Sequence, residues 1–317
     1  MPKAIIVGCN GQDGTLLFDL LAAKGYMLLG IARTGLRIHG CTWTTHIDIG
    51  SYDDVCRVAR SFLPDEIYYL AAYHHASEDE ANSDSDLFHR SFDVHLHSLV
   101  NFLDAIHLHT PATKLFYAAS SHIFGEPESE YQDEQTPINP ICVYGISKAA
   151  GIYACRYYRS THSVFASVGI LYNHESPLRN ERFISQKIIR GAINIKNGTQ
   201  DRLVIGNMQS IVDWGYAPDY VDAMHRVLMH KHADDFIIAT GVKHTVQEFV
   251  ETTFGLLDVD WQKYVVTDPT LLKKKSRKFV GNPHKLHNAT GWQAMTGFRE
   301  MITLMVNAQL EACCAEK

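Results

Sequence analysis

The sequence predicts an α/β fold, in which a doubly wound parallel sheet is followed by a smaller C-terminal lobe. In the first half of the 317 residues, short apolar runs alternate with helical patterns, which is typical of parallel strands joined by helices on both faces of the sheet. Near residue 172 this alternation ends, and mixed helices and short strands follow. We therefore expect residues 1–172 to form the large domain and residues 214–241 to return to it. Residues 173–213 and 242–317 would form the smaller lobe.

The first strand, turn and helix carry a binding motif. Residues 4–7 are a short apolar run, and Gly8, Gly11 and Gly14 follow directly. Glycines at this spacing allow a tight turn and a close approach of the backbone to a pyrophosphate. Leucines at helical spacing then predict a helix over residues 13–24, whose first N–H groups would bind phosphate oxygens. This order predicts a Rossmann-type dinucleotide-binding domain; the alternative is a glycine-rich turn that binds nothing.

The remaining elements of the large domain follow from the same patterns. Further strands are expected at residues 26–32, 43–47, 66–71, 114–119 and 164–171, and further helices at residues 51–62, 86–108 and 143–159. Ser51 is suited to the N-cap of the helix at 51–62. The acidic segment 76–86 has almost no apolar content, and we expect a mobile loop beside the cleft or a solvated insertion.

Tyr144 and Lys148 are the first candidates for chemistry. They lie four residues apart, so that a helix places both on one face. The ammonium of Lys148 would lower the pKa of Tyr144 from ~10, and Tyr144 could then take a proton from a substrate hydroxyl as hydride leaves. Ser120 ends an apolar run, at the strand end where open α/β sheets bind ligands. Together, Ser120, Tyr144 and Lys148 indicate oxidation of an alcohol with a nicotinamide cofactor. The alternative is that Tyr144 and Lys148 only mark a solvent-exposed helix face.

The composition excludes several classes of protein. With 46% hydrophobic residues, 20% charged residues and a net charge of -6, the chain lacks the basic block that a nucleic-acid partner requires. No apolar run approaches the ~20 residues of a membrane span.

The cysteines and the start of the chain indicate a cytoplasmic protein with reduced thiols. There are seven cysteines without a C-x-x-C motif, and the first strand begins too early to leave room for a signal peptide. The pairs His74-His75 and His95-x-His97 favour hydrogen-bonded or surface histidines, and no metal site is expected.

Several segments resemble the extended short-chain dehydrogenases/reductases, the NAD-dependent epimerase/dehydratase family, and specifically the GDP-mannose 4,6-dehydratases. They lie at residues 8–14, 70–72, 144–148, 169–177, 206–207, 213–215, 219–224 and 281–283, and the last of them is followed by a matching Gly-Trp pair at 291–292. The motifs G-Q-D-G, within residues 8–14, and N-H-E-S-P, within residues 169–177, are specific to this branch. The Tyr/Lys pair marks only the superfamily.

The resemblance implies a nucleotide-sugar dehydratase that recycles bound NADP(H) within one turnover, with NAD possible. Hydride would leave C4 of the sugar, water would be eliminated across C5 and C6, and hydride would return to C6. By position, Tyr144 would be the base at the C4 hydroxyl and Lys148 would hold the nicotinamide ribose. Ser120 would take the place of the family's threonine. The resemblance also implies a homodimer or homotetramer that pairs through the helices at 86–108 and 143–159.

The resemblance assigns binding residues as well. Those that would contact the cofactor are Gly8, Gly11, Gln12, Asp13, Gly14, Arg33, Asp48, Ile49, Leu70, Ala71, Ala72, Tyr144 and Lys148. Those that would contact the sugar nucleotide are Asn173, Glu175, Lys187 and Asn207. The strand that ends before Arg33 lacks the acidic residue that would hold a 2′-hydroxyl, and a guanidinium is suited to a 2′-phosphate. NADP is therefore favoured over NAD.

One departure from the family concerns the reaction itself. His122 stands where the dehydratases keep the glutamate that moves the C5 proton and assists loss of the C6 hydroxyl. Imidazole can act as a base and then as an acid near neutral pH, so His122 is a candidate catalytic residue for elimination. In the alternative, elimination is lost and the enzyme is an NAD(P)-dependent C4 oxidoreductase or epimerase.

Two further departures concern substrate binding. Ile211–Val212 stands where the family has Lys-Arg, and residues 141–143 stand where Arg-Ser-Pro is expected. The family's arginine upstream of Gly281 does not align cleanly either, and Lys273 or Arg277 is its candidate substitute. Fewer cationic contacts weaken the case for GDP-mannose itself, although a GDP-linked sugar is still favoured. A non-catalytic dinucleotide sensor or partner subunit is a third alternative. The retained Ser120, Tyr144 and Lys148 argue against it.

Overall fold

A computed structural model describes residues 1–73, 83–268 and 279–315 of the chain. Lys273, Arg277 and most of the predicted loop at 76–86 lie outside the described residues. The strands are β1 (Lys3–Val7), β2 (Met27–Ala32), β3 (Gly35–His39), β4 (Glu66–Tyr69), β5 (Lys114–Ser120), β6 (Ala166–Leu171), β7 (Asn173–Glu175), β8 (Leu203–Ile205), β9 (Ile211–Val212), β10 (Trp214–Tyr216), β11 (Asp235–Ile238), β12 (His244–Thr245) and β13 (Val265–Thr267).

The helices interleave with these strands. They are α1 (Gln12–Ala23), α2 (Tyr52–Phe62), α3 (Asp84–Phe92), α4 (Ser98–His109), α5 (Val143–His162), α6 (Ile184–Lys196), α7 (Ala217–Met229), α8 (Val246–Leu256), α9 (His284–Thr290) and α10 (Phe298–Ala315). A π-helical turn, Asp93–His97, joins α3 to α4, so the helix predicted at 86–108 is interrupted near its middle. A 3₁₀ turn, Ser121–Phe124, follows β5 directly.

The central sheet has seven strands in the described residues, in the order β11-β6-β5-β4-β1-β2-β3. All neighbouring pairs are parallel except β2 and β3. Strands β1, β4, β5 and β6 are buried almost throughout, because helices cover both faces of a parallel sheet. Helices α2, α4 and α5 pack on one face, and α1, α7 and α9 on the other. The predicted doubly wound α/β fold is therefore confirmed.

The strand predicted at residues 43–47 is wrong. The chain turns back at Gly35, whose φ of +131° favours glycine, and β3 then runs antiparallel to β2 along the edge of the sheet. Within residues 43–47 the Trp43 indole donates a hydrogen bond to the Thr45 carbonyl, and only Ile47 is buried. The segment bonds to itself and adds no strand.

A separate core lies in the C-terminal part of the chain. It is formed by α6, α8 and α10 together with β8 and Trp214, and its centre includes Ile188, Phe249 and Met301. From the same half of the chain, α7 packs on the central sheet and β11 extends it beside β6. The predicted division into two domains stays a prediction. None of the helices among the described residues combines the length and the apolar character that a membrane crossing requires.

Candidate active site

A cavity of about 730 Å³ opens at the carboxyl ends of β1, β2, β4, β5 and β6. This is the edge of an open α/β sheet at which ligands bind, and the volume is in the usual range of ligand sites. Of the predicted site residues, the cavity is lined by Gly8, Gly11, Gln12, Asp13, Gly14, Arg33, Asp48, Ile49, Leu70, Ala71, Ala72, Ser120, His122, Tyr144, Lys148 and Asn173. The sequence therefore placed most of its candidates on the wall of a single cavity.

The glycine turn closes the start of this cavity. Gly8 has a φ of +94°, and a Cβ there would lie 2.8 Å from the backbone nitrogen of Ala71. A Cβ on Gly14 would lie 2.2 Å from the carbonyl oxygen of Gly8. Gly11 is the N-cap of α1 and offers no side chain to the first N–H groups of the helix. These groups form a site suited to an anionic ligand.

Asp13 in this turn forms an ion pair with His174. The Nε2 atom of His174 lies 3.0 and 2.9 Å from the two carboxylate oxygens, and Nδ1 lies 2.6 Å from the carbonyl oxygen of Tyr172. Since both ring nitrogens face acceptors, both must donate, and the ring is an imidazolium. Burial alone would raise the pKa of Asp13, but His174 lowers it to about 2. Burial would lower the pKa of His174, but Asp13 raises it above its ordinary value. The sequence analysis missed His174, although it lies in the N-H-E-S-P motif.

Lys148 and Tyr144 share one face of α5, as predicted from their spacing. The Lys148 ammonium is fully buried, donates a hydrogen bond to the Ala118 carbonyl at 2.7 Å, and lies 5.8 Å from the centre of the Tyr144 ring. Burial lowers the pKa of Lys148 to about 7. Burial also raises the pKa of Tyr144 to about 12, with Arg179 and a hydrogen bond from Ser120 opposing the rise. This is opposite to the lowering by Lys148 that the sequence predicted, because burial outweighs the nearby cations.

His122 lies beside Tyr144. The 3₁₀ turn after β5 carries it, and its backbone N–H donates to the Ser120 hydroxyl at 3.3 Å. The imidazole contacts the Tyr144 ring edge-to-face, with 5.8 Å between centroids, and the Phe279 ring at 5.6 Å. Its Nδ1 atom lies 3.8 Å from the sulfur of Cys142. A titratable group therefore stands next to the proposed proton acceptor.

Arg179 is a cavity residue that the sequence analysis missed. Its guanidinium lies over the Phe183 ring at 3.5 Å, and its Nε atom lies 3.3 Å from a carboxylate oxygen of Glu175. Glu175 is buried and also accepts a hydrogen bond from Ser185 at 2.6 Å. Glu175 does not line the cavity; it holds Arg179 at the cavity wall. Arg179 lies in a polar loop that also contains Arg182, and no local pattern marked it for this role.

Two other predicted substrate residues also lie away from the cavity wall. Lys187 is on α6, and Asn207 follows β8, where its side-chain oxygen accepts a hydrogen bond from the backbone of Gln209 at 2.8 Å. Their role in substrate binding stays a prediction. In the described ranges, no group of three or more His, Cys, Asp or Glu side chains could hold a metal ion.

Comparison with known proteins places the chain among sugar-nucleotide enzymes. The family model described as GDP-mannose 4,6 dehydratase matches residues 5–305. GDP-mannose 4,6 dehydratase 2 of Arabidopsis thaliana is 33% identical over 99% of this chain and 88% of its own length. GDP-mannose 4,6-dehydratase of Vibrio cholerae is 31% identical over 98% of this chain and 94% of its own length.

Solved structures share the fold at lower identity. RMD from Pseudomonas aeruginosa, complexed with NADPH, superposes with a TM-score of 0.83 at 20% identity, covering 98% of this chain and 100% of that one. UDP-glucose 4-epimerase of Thermus thermophilus, in complex with NAD, superposes with a TM-score of 0.79 at 23% identity and covers 98% and 99%. At these identities the superpositions show that the chain shares its fold with both proteins over nearly its whole length.

Proposed function

Since the chain belongs to the GDP-mannose 4,6-dehydratase family, we propose that it is a nucleotide-sugar 4,6-dehydratase that uses His122 in place of a glutamate. The observation that carries the proposal is the meeting of Ser120, His122 and Tyr144 at one wall of the cavity, with Lys148 beside them. A GDP-linked sugar is the favoured substrate, because the relatives that match nearly the whole chain are named for GDP-mannose.

The cavity residues fit a nicotinamide dinucleotide. A Cβ at Gly8 would meet the backbone of Ala71, and a Cβ at Gly14 would meet the backbone of Gly8, so the turn can pack this tightly only with glycine at both positions. The N–H groups that the turn presents at the start of α1 are suited to the charge of a pyrophosphate. Arg33 would contact the 2′-phosphate of NADP, and Lys148 would hold the nicotinamide ribose. The bound group would accept a hydride from C4 of the sugar and return it at C6. NADP(H) is the proposed cofactor, with NAD as the alternative.

The first proton would be taken at the C4 hydroxyl. Tyr144 accepts it as the phenolate, and the Ser120 hydroxyl hydrogen-bonds the same oxygen. Arg179 and Ser120 both favour the phenolate, which offsets part of the cost of burial. Asn173 lines the cavity close to Arg179 in sequence and would bind the sugar nucleotide, with Arg179 supplying positive charge for its phosphates.

The elimination would fall to His122. Once C4 is a ketone, the C5 proton is acidic, and the neutral imidazole of His122 takes it. The imidazolium then gives a proton to the C6 hydroxyl, which leaves as water and forms the C5–C6 double bond. The contact between His122 and Tyr144 supports both steps occurring on one bound sugar.

A second candidate function is C4 oxidation or epimerisation without loss of water. It is favoured by the absence of the family's glutamate at position 122 and by the shared fold with UDP-glucose 4-epimerase. A non-catalytic sensor is a weaker alternative, because such a protein has no need of Tyr144 and Ser120 in hydrogen-bond contact.

One experiment separates these functions. Purified protein is incubated with NADP⁺ and, in turn, GDP-mannose, other GDP-sugars and UDP-sugars. The masses of the products are measured by mass spectrometry, and the configuration of the sugar is determined by proton NMR. Loss of one water per sugar supports the dehydratase. Loss of two hydrogens with reduction of the cofactor, or a changed sugar configuration at constant mass, supports the second candidate. Absence of both turnover and binding across the panel would contradict both enzymatic functions.

We also propose a homodimer or homotetramer, in the cytoplasm. Tyr153 and Tyr157 lie four residues apart on α5 and are 54% and 55% exposed, and Leu108 on α4 is 54% exposed. Apolar side chains exposed on neighbouring helices suit a helix-to-helix interface. The cysteines whose side chains the structure describes are free thiols, in keeping with a reducing compartment: Cys9, Cys41, Cys56, Cys142, Cys155 and Cys313.

A further inference from the structure

His95 is a fully buried histidine that the chemistry above does not use. It lies in the π-helical turn between α3 and α4, and its side chain is 0% exposed. A π-turn within a helix is often found at a functional site, since the extra residue redirects a side chain. Here His95 lies between the cavity segment 70–73 and the first turns of α5.

The hydrogen bonds of His95 fix its protonation state. The backbone N–H of Tyr73 donates to Nε2 at 2.9 Å, so that Nε2 carries no proton. The remaining ring proton must then be on Nδ1, which faces the Ser147 hydroxyl at 2.8 Å. Ser147 in turn donates to the carbonyl oxygen of Tyr144 at 3.0 Å. The imidazole is neutral, with one donor and one acceptor in use.

Each end of this chain of hydrogen bonds reaches a functional part of the cavity. Segment 70–73 lines the cavity, and it packs so closely on the glycine turn that a Cβ on Gly8 would lie 2.8 Å from Ala71. At the other end is the turn of α5 that carries Tyr144. The His95 ring also contacts the Tyr144 ring edge-to-face, with 5.3 Å between centroids and 88° between planes.

We propose that His95 is a positioning residue that joins the cofactor-binding segment 70–73 to the catalytic Tyr144. It acts through its hydrogen bonds to Tyr73 and Ser147 and through the contact of its ring with the Tyr144 ring. These contacts fix the position of segment 70–73 relative to Tyr144. The proposal rests on the proposed function for what Tyr144 does, and on NADP(H) as the ligand of segment 70–73.

The loss of His95 would disturb both ends. Without His95 as its acceptor, the part-buried N–H of Tyr73 would lose this hydrogen bond, and the Tyr73 end of segment 70–73 would be held less firmly. Among the described residues, His95 and His122 both pack edge-to-face against the Tyr144 ring, and the ring would lose the first of these contacts. Both cofactor affinity and the rate of the chemical step should therefore fall.

The test uses His95→Phe, which keeps a planar ring against Tyr144 but removes both hydrogen bonds. The matched control is His225→Phe. His225 also contacts a tyrosine edge-to-face, with 6.0 Å between its ring and that of Tyr26, and Nε2 lies 3.2 Å from the Tyr26 hydroxyl. It is outside the cavity lining. The readouts are the NADPH dissociation constant by fluorescence titration, the melting temperature, and kcat and KM for the sugar nucleotide.

We expect His95→Phe to weaken NADPH binding and to lower kcat, each about tenfold, with little change in KM, while His225→Phe changes neither. His95→Asn, which can still donate to Ser147, should recover kcat more than NADPH binding. If His95→Phe lowers only the melting temperature, as a merely structural histidine would, the proposal is overturned. NADPH binding needs no turnover, so a wild-type protein that binds NADPH but does not dehydrate any sugar contradicts the proposed function alone.

A spectroscopic measurement on the wild type covers the case in which His95→Phe does not fold. Nitrogen-15 NMR of labelled histidines, assigned by comparison with His95→Asn, reports which ring nitrogen carries the proton. A neutral ring protonated at Nδ1 supports the inference. An imidazolium or an Nε2–H tautomer overturns it, because neither can accept the Tyr73 N–H.

Discussion

The Nζ atom of Lys148 donates a hydrogen bond to the carbonyl oxygen of Ala118 at 2.7 Å, which ties the first turns of α5 to the end of β5. The ammonium is thereby held among buried groups, and its pKa falls from 10.5 to about 7 because water is excluded. Burying a charged lysine lowers the free energy of unfolding, and the proposed role of Lys148 in the active site explains why it is buried there.

Replacing Lys148 with methionine should stabilise the protein and remove its activity. A base whose pKa is lowered on folding makes the folded state less stable while it is charged, below about pH 7, and this cost fades as pH rises toward 10.5. The gain in unfolding free energy for Lys148→Met should therefore be largest near pH 6 and shrink by pH 9. Urea unfolding of both proteins across this range measures it. A gain that grows with pH would contradict the assignment of a buried ammonium.

Replacing His122 separates elimination from oxidation. His122→Ala should slow release of water by roughly 10²–10⁴-fold, the usual contribution of a general acid–base, and leave NADPH affinity unchanged. His122→Glu should keep dehydration, since it restores the family's residue. Product masses and NADPH titration report both properties, with His225→Ala as a control outside the cavity lining. An unchanged rate of water loss in His122→Ala would rule out the proposed role.

The ion pair of Asp13 and His174 should make stability depend on pH from both sides. The lowered pKa of Asp13 contributes stability that is present above 3.8 and is lost as pH falls toward about 2. The raised pKa of His174 contributes stability that is present below 6.5 and is lost as pH rises through its folded-state value. His174→Gln would leave the part-buried Asp13 carboxylate without its cation, so it should destabilise the protein most between pH 4 and pH 6.5, by more than the ~1 kcal/mol of an exposed ion pair.

The matched variant for this ion pair removes both charges. Asp13→Asn combined with His174→Gln leaves no buried charge alone, and its unfolding free energy should recover part of the loss. Unfolding in urea at several pH values gives the comparison. Equal losses in the single and the double variant would indicate that the ion pair contributes nothing beyond packing.

Arg179→Gln should move the pH dependence of the first step. The guanidinium favours the Tyr144 phenolate, so its loss raises the pKa of Tyr144 further. The rising limb of kcat against pH should shift to higher pH, and kcat at neutral pH should fall roughly tenfold. Arg190→Gln is the control, because Arg190 forms a surface ion pair with Glu181. If kcat keeps the same dependence on pH and only KM rises, the effect of Arg179 on Tyr144 is contradicted, and Arg179 serves substrate binding alone.

Local patterns were enough to predict much of the fold. Strands β1, β5 and β6 are continuous apolar runs because they are buried on both faces. Such runs can be predicted from the local sequence, without knowledge of the neighbouring strands. The glycine turn and the spacing of Tyr144 and Lys148 could also be recognised, because each depends on residues that are close in sequence. The edge strand β3 is half-exposed with mixed polarity, and its pairing depends on a turn that local patterning did not mark.

The parts of the site that were missed depend on distant residues. Asp13 and His174 are 161 residues apart, and only the packed sheet brings them together. Arg179 became a cavity residue through its contacts with Glu175 and Phe183, and nothing in its own segment indicates them. The direction of the Tyr144 pKa was mistaken because the sequence shows the neighbouring cation but not the exclusion of water.

The place of β11 in the sheet also has a consequence for synthesis on the ribosome. Every residue of strand β6 is buried in the finished protein. In the part of the chain that the structure describes, the strand that pairs with its outer edge is β11, which lies more than sixty residues later. Until residue 238 has left the exit tunnel, a nascent chain would present β6 as an open, apolar edge, the kind of surface to which other strands add. A stop codon shortly before residue 235 should therefore yield an aggregating polypeptide, even though the glycine turn, Tyr144 and Lys148 have all been made.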